Sequence, residues 1–375
     1  MTVHLNTAGA GLMPSSVVEA LCGYVAEEAA GGSYEAEQRY APVLEGEVYR
    51  ILAQVLDAPE DDLALFDSAT RAYCSVIGNL PLTAADTVWV TPYEYAGNLI
   101  LLHGMRRRLG LRIEVVPLLP DGNVDLDWMA AHIHDGVALV SLPHVPSGCG
   151  VINPVEEIGK ILAPWRCFYA VDACQSVGQV PLSVAAIGCD LLTGAGRKFL
   201  RGVRGTGFAA VSPRLRSAVR LPFFDLQVAD MVADDAFEVS TDTARRFEFA
   251  ERNNAAVLGL NAALHHHASR TDDRASGALR EAVRGAIEEI PGTRLIDPGT
   301  RHAQIVTFLH DRVTPEQVRT GLRARGINVW IAQGSHTPLY MRAQQVEFAV
   351  RVSPHYYNTD ADIEAFAVAL RATLN

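Results

Sequence analysis

The run Cys167-Phe168-Tyr169-Ala170-Val171-Asp172-Ala173-Cys174-Gln175 brings an apolar stretch to an end on a carboxylate. Further on, Asp190-Leu191-Leu192-Thr193-Gly194-Ala195-Gly196-Arg197-Lys198-Phe199-Leu200 brings another to small residues and a lysine. Short apolar runs bounded by turn-forming residues read as buried strands. Outward from these two (167–172 and 190–193), residues 63–66, 87–91, 113–118, 137–141 and 206–211 have the same texture. Helical patterns fall between several of them, at 70–80, 96–109, 126–133 and 155–162. Repeated strand–helix–strand order predicts an α/β fold, with a mainly parallel seven-stranded sheet covered by helices on both faces. Sites in such folds lie at the carboxyl ends of the strands, so the residues just after each run carry most weight.

A long helix is predicted over 245–267. Beyond it come smaller αβ units: helices at 272–289, 315–325 and 360–374, and strands at 304–309, 328–331 and 349–352. The expected division is a large domain over 16–245 and a smaller α/β domain over 246–375, with residues 1–15 returning to the second. The length of 375 residues suits two domains of roughly 100–200 residues each. With 49% hydrophobic and 20% charged residues, a large core is expected and intrinsic disorder is not. A net charge of −11 without a basic tract argues against nucleic acid or an anionic membrane as partner. No apolar run approaches the roughly 18 residues of a spanning helix, and no signal-like core opens the chain, so a cytoplasmic protein is expected. The six cysteines have no CxxC spacing and fit reduced thiols.

Only two lysines, Lys160 and Lys198, stand against thirty arginines. An amine of tunable pKa that forms a Schiff base is a task arginine cannot perform. Lys160 falls at a solvent-facing position of its helix, whereas Lys198 lies between small residues and an apolar pair that would desolvate it. Phe66-Asp67-Ser68-Ala69-Thr70-Arg71 is a strand end opening a helix. Its free N–H groups and the Ser68 and Thr70 hydroxyls make an anion site, although an ordinary helix cap has the same appearance. Asp172 at a buried strand end needs a cationic partner, which a protonated pyridine nitrogen or a structural arginine would supply.

Other signals carry less. Gly202, Gly205 and Gly207 precede a strand rather than opening a helix, so they fail as a dinucleotide fingerprint. His265-His266-His267 diverge by about 100° per residue on a helix and cannot chelate together. No metal site is expected. A phosphate cradle, a strand-end Asp and a strand-end Lys together match pyridoxal 5'-phosphate: anchor, electron-sink partner and imine.

The motifs resemble the class V aminotransferase/cysteine desulfurase group of fold-type I pyridoxal-phosphate enzymes. The resemblance runs from Asn6-Thr7-Ala8-Gly9-Ala10-Gly11-Leu12-Met13-Pro14 to Ser353-Pro354-His355-Tyr356-Tyr357-Asn358-Thr359. It implies that Ser68-Ala69-Thr70 is the phosphate loop and that Tyr95 stacks on the cofactor. Ser147, in His144-Val145-Pro146-Ser147-Gly148-Cys149-Gly150, stands where desulfurases carry an Asn that contacts the cofactor hydroxyl. Asp172 and Gln175 match the Asp/Gln motif, and Lys198 the Schiff-base lysine. Arg197 occupies a position that is often a phosphate-binding His. Arg351 would clamp the substrate carboxylate, a bidentate task suited to guanidinium. A homodimer with shared active sites is implied, with Thr241 or Thr243 as donors to the partner's phosphate.

A desulfurase needs a cysteine on a mobile loop of the small domain. Here that region reads Val329-Trp330-Ile331-Ala332-Gln333-Gly334-Ser335-His336, and no cysteine follows Cys189. Cys149 and Cys174 lie by the cofactor motifs, where packing is the expected role. Gly326-Ile327-Asn328-Val329 and the 353–359 motif are closer to a branch that includes isopenicillin-N-epimerase-like proteins and the carbon–sulfur lyase of ergothioneine assembly. It also includes enzymes that process S-substituted cysteines in lincosamide antibiotic pathways. The leading expectation is a C–S β-lyase of an S-substituted cysteine or its sulfoxide, giving a thiol or sulfenate, pyruvate and ammonia. An oxygen-dependent decarboxylating deaminase, an aminotransferase and an epimerase share the early steps. For the epimerase, Tyr34, His336 or Tyr340 would be the second acid. The substituent pocket is expected from loops such as 31–40 and 223–235.

Overall fold

The computed structural model describes residues 2–222, 224–239, 242–249, 251–270 and 277–374. After β1 (Val3–His4), the chain forms α1 (Ser15–Gly31), α2 (Ser33–Pro42) and α3 (Val48–Leu56). The α/β alternation follows as β2 (Leu63–Phe66), α4 (Ala69–Ile77), β3 (Thr87–Val90), α5 (Ala96–Leu109), β4 (Arg112–Val115) and α6 (Leu126–His132). It continues with β5 (Val137–Pro143), α7 (Val155–Leu162), β6 (Phe168–Asp172), α8 (Val184–Ile187), β7 (Leu191–Ala195), β8 (Gly207–Val211) and α9 (Pro213–Ala218).

These seven strands, β2 to β8, form one sheet in the order β2-β8-β7-β6-β5-β3-β4. Only β8 runs against its neighbours, so the sheet is mainly parallel, as the alternation predicts. Both faces are covered. Val140, Leu142, Tyr169 and Val171 belong to one core cluster and Leu139 and Ala170 to another, the period-two pattern of a strand buried on both sides. The carboxyl ends of β2, β3, β5, β6 and β7 therefore open on one edge, where Ser68, Glu94, Pro143, Asp172 and Ala195 sit.

The long helix expected over 245–267 is shorter. A 3-10 turn spans Ala244–Phe247, and α10 begins only at Asn254 and runs to Ala268. Glu248 is extended because its carboxylate is engaged elsewhere, accepting from Leu65 N at 2.6 Å and Tyr49 Oη at 2.7 Å. The helix then restarts where the Asn253 side chain accepts from Ala256 N at 2.9 Å, an N-cap. Tertiary pairing of one carboxylate outweighs local helix preference. Ala255, Val257, Leu258, Leu260 and Leu264 of α10 pack in the core of the large sheet.

The remainder contains a hairpin, β9 (Ala229–Ala233) and β10 (Ala236–Val239), then α11 (Ala278–Glu288), β11 (Thr293–Leu295), β12 (Val306–His310) and α12 (Pro315–Ala324). It closes with β13 (Ile327–Asn328), β14 (Trp330–Gln333), α13 (Pro338–Ala343), β15 (Phe348–Val352) and α14 (Asp360–Leu374). The strand expected over 328–331 is split: β13 pairs with β1, while β14 pairs with β15 in a four-stranded sheet of order β11-β12-β15-β14. The N-terminal strand thus lies on the C-terminal unit, and Asn6 bridges to Ser353. The segment 31–40, expected as a loop, is mostly α2, set off from α1 by Gly32 at φ 105. The segment 223–235 forms much of the exposed hairpin, with Phe223 outside the described residues.

Candidate active site

The strand ends enclose a cavity of about 510 Å³, in the range of small-molecule and cofactor sites. Ser68, Ala69, Thr70, Tyr95, Ser147, Asp172, Gln175, Arg197 and Lys198 all line it. At one end α4 begins. Ser68 Oγ accepts from Arg71 N at 3.2 Å, so this hydroxyl is the helix cap. The N–H groups of Ala69 and Thr70, in the first turn, remain for an anion. Arg204, Gly205 and Thr206 line the same end, because Gly207 brings that strand's backbone against Ser68 and Ala69 too closely for any Cβ.

At the other end stands Asp172, whose Oδ1 accepts from Cys174 N at 2.9 Å. Gln175 is buried; its Nε2 donates to Ala8 O at 3.1 Å, while its Oε1 has no partner among the described residues. A buried acceptor left open is costly unless a ligand donor completes it. Burial lowers the pKa of Lys198, with Cys174 and Asp172 opposing and the charges of Arg197 and Arg351 adding. The lysine amine is therefore easier to deprotonate and more nucleophilic. Lys160, by contrast, is exposed on the last turn of α7.

The Lys198 loop is braced from two sides. Gly11 N donates to Arg197 O at 2.9 Å, and the Arg197 guanidinium donates to Gly9 O. Arg197 is thus turned partly toward the N-terminal segment instead of being wholly given to an anion. On the other side Gly178, at φ 94, lies where an added Cβ would be 2.5 Å from Phe199 C. Gly188 has a similar backbone, φ 66, but open space around it. Gly178→Ala is expected to cost about 1–3 kcal/mol and displace the lysine loop, while Gly188→Ala costs only about 1 kcal/mol. Thermal melts of the two variants check this; equal losses would remove the packing contribution.

Arg351, on β15, is 7% exposed and forms no ion pair among the described residues. Its one described side-chain hydrogen bond goes to Ser147 O at 2.9 Å, and its Nε is buried without a partner. Burial and the Arg197 charge lower its pKa to about 10. A buried guanidinium in this state is completed by a carboxylate. Of the acids considered for the opposite face, Tyr340 is buried and donates to Ile296 O at 3.0 Å, and Tyr34 is exposed on α2. His336 is the one near the site, its ring 6.4 Å from that of Tyr95. Thr243 caps the 3-10 turn by accepting from Arg245 N at 3.4 Å, and Thr241 lies outside the described residues. Of the triple histidine, His265 contacts Glu47 and His266 contacts Tyr356.

Sequence reasoning passed over several residues of the site. Arg204 carries the signal of a cation one residue before Gly205 in the segment that returns to β8. Asn98 and Glu94 had a signal too, since both lie on the Tyr95 turn.

A strand-end lysine, a strand-end carboxylate and a helix N-terminus around one cavity define a pyridoxal-phosphate site. Comparison with known proteins agrees. The chain belongs to the aminotransferase class-V family, whose model matches residues 3–366. It is a pyridoxal-phosphate-dependent enzyme, and the orphaned Gln175 acceptor and the N–H groups of Ala69 and Thr70 fit that cofactor. The chain is 26% identical to a probable cysteine desulfurase of Pyrococcus abyssi, over 97% of this chain and 92% of the relative. It is 28% identical to a probable hercynylcysteine sulfoxide lyase of Mycobacterium tuberculosis, over 99% and 90%. Its fold matches the apo cysteine desulfurase of Thermococcus onnurineus NA1 with TM-score 0.91 and 24% identity, over 100% of this chain and 94% of that one. It also matches the cystine C-S lyase C-DES in complex with cysteine persulfide, with TM-score 0.87 and 19% identity, over 98% and 97%.

Proposed function

We propose that the protein is a C–S β-lyase acting on an S-substituted L-cysteine or its sulfoxide. The observation that carries this reading is the absence of any cysteine after Cys189 in a chain that retains Lys198, Asp172 and Arg351. The segment Trp330–Gln333 and the turn Gly334–His336 offer no thiol to accept sulfur. Cys149 packs in a core with Tyr93 and Tyr340, and burial drives its thiol pKa far up. Cys174 lines the cavity, but burial and the Asp172 carboxylate keep its thiol protonated. A thiol held protonated is a poor nucleophile.

The cofactor, when bound, supplies an electron sink for charge developing at the substrate Cα. Arg351 binds the substrate carboxylate and fixes the orientation of Cα. The Lys198 amine would remove the Cα proton. Asp172 would hold a proton on the ring nitrogen, and Tyr95 lines the cavity beside it. The Cβ–S bond then breaks, the sulfur leaving with the bonding electron pair. One substrate and one water give one thiol or sulfenic acid, one pyruvate and one ammonia. This scheme requires one base and no second amino acceptor.

Arg351→Ala is expected to raise KM for amino-acid substrates about 100-fold with a much smaller change in kcat, since a charged hydrogen-bonding partner is lost. Steady-state kinetics check it, and an unaltered KM removes Arg351 from this role. The reading as a whole is tested by supplying S-substituted cysteines and their sulfoxides while following products by mass spectrometry and dissolved oxygen with an electrode. Pyruvate and ammonia without oxygen uptake support the lyase. Carbon dioxide and an aldehyde with oxygen consumption identify the decarboxylating deaminase, and an altered keto acid pair identifies the aminotransferase. Assembly as a homodimer in the cytoplasm belongs to the same proposal. Leu12, Met13, Val18 and Val25 are exposed along and just before α1, an apolar surface suited to a second copy. An active monomer by light scattering would refute it.

A further inference from the structure

Glu94 is a fully buried carboxyl at the carboxyl end of β3, directly before Tyr95. Its Oε1 accepts from Tyr95 N at 2.8 Å and from Asn98 Nδ2 at 2.9 Å. Its Oε2 accepts from Ser141 Oγ at 2.9 Å. Ser141 is also 2.8 Å from Tyr73 Oη. A hydroxyl has one proton, and Ser141 gives its own to Glu94, so Tyr73 donates to Ser141. The chain Tyr73 to Ser141 to Glu94 is thus aligned to hold a negative charge. Asn98 and Tyr95, its remaining partners, both line the cavity.

No described residue forms an ion pair with Glu94 or with Asp172. The groups facing Glu94 are Tyr73 from α4, Tyr95 and Asn98 at the start of α5, Ser141 from β5 and Asp172 at the end of β6. Burial, with the Asp172 charge adding, raises the pKa of Glu94 to about 7. A buried carboxyl, Glu94, therefore lies behind the half-buried Asp172 of the cavity wall, and neither has a described ion-pair partner. A cation placed against Asp172 would relieve both.

We propose that Glu94 is a positioning residue for the cofactor ring, holding Tyr95 and Asn98 in the cavity wall and adding a second negative charge behind Asp172. It acts through its neighbours and touches no reacting atom. The inference rests on the cofactor, and it holds whichever substrate bond breaks. Glu94→Gln keeps the size and an acceptor for Tyr95 N and Asn98 but removes the charge, whereas Glu94→Ala removes both.

The test titrates the visible absorbance of the cofactor-loaded protein across about pH 6–9 for wild type and both variants, beside melts of the cofactor-free proteins. A nearby negative charge favours the protonated form of the lysine–cofactor linkage, so losing it lowers the midpoint. The expected shift for Glu94→Gln is about half a unit or more downward, a roughly threefold change in proton affinity, with kcat reduced and KM little changed. Glu94→Ala is expected to show the same shift and to lose cofactor more readily. In the melts, a carboxyl whose folded pKa is raised stabilises most when protonated. Wild type therefore loses stability relative to Glu94→Gln as pH rises from about 4.3 through about 7. A wild-type midpoint in Glu94→Gln would overturn the proposal and leave Glu94 a helix-start acceptor only. If Glu94→Ala fails to fold, Glu94→Gln alone decides.

Discussion

Lys198→Ala is expected to abolish the visible band of the covalent lysine–cofactor linkage and to lower kcat by at least about 10³-fold. The size of the effect follows from two roles proposed for one amine, carrying the cofactor and moving the Cα proton. The variant should nonetheless fold. The Lys198 amine has no hydrogen-bond partner among the described residues, and burial already disfavours its charge. Removing it relieves a desolvation cost, so the cofactor-free variant is expected to melt at or slightly above the wild-type temperature. The N–H groups of Ala69 and Thr70, Asp172, Gln175 and Tyr95 are untouched, so the variant should still bind cofactor without the covalent bond. Absorbance spectra and equilibrium dialysis separate the two effects. A visible band surviving unchanged would show that Lys198 is not the Schiff-base residue.

Asp172→Asn carries the second large effect. The asparagine Oδ1 can still accept from Cys174 N, a bond of 2.9 Å in the native protein, so the turn after β6 should keep its shape and the cofactor-free melt should hardly move. What is lost is the negative charge proposed to hold a proton on the ring nitrogen. Charge leaving Cα then has a poorer sink, and kcat is expected to fall about 10²–10⁴-fold while KM changes little. Stopped-flow and steady-state kinetics at several pH values check the split. Near-wild-type turnover in Asp172→Asn would mean that the ring nitrogen needs no anionic partner here.

The residues proposed to carry these two effects stand out in the sequence because they combine chemistry with position. A carboxylate closing an apolar strand, and one of only two lysines closing another, are rare placements that packing alone does not favour. Elements whose stability is local were also legible: Ala96–Leu109, Val155–Leu162 and Asp360–Leu374 have the bounds that their apolar periodicity predicts. What stayed hidden depends on partners distant in sequence. The late start of α10 follows from Glu248 reaching Leu65 and Tyr49. The bent position of α2 follows from one glycine backbone angle at Gly32. Arg204 and Glu94 have only weak signals in sequence, and the fold places one beside the α4 turn and the other behind Asp172. Ser147 matched the active-site turn, but its described contact is through its carbonyl, which receives Arg351. That linkage between a loop of the sheet and β15 has no local signature.

The distinction between a β-lyase and a desulfurase rests on the fate of the three carbons. The most direct measurement incubates the cofactor-loaded protein separately with an S-alkyl-L-cysteine sulfoxide and with L-cysteine, and quantifies pyruvate, ammonia and alanine. The β-lyase account predicts pyruvate and ammonia in equal amounts from the sulfoxide, and no alanine from either substrate. Alanine from L-cysteine, together with a persulfide on the protein, would contradict it, because sulfur would then be passing to a thiol that this site is proposed not to use.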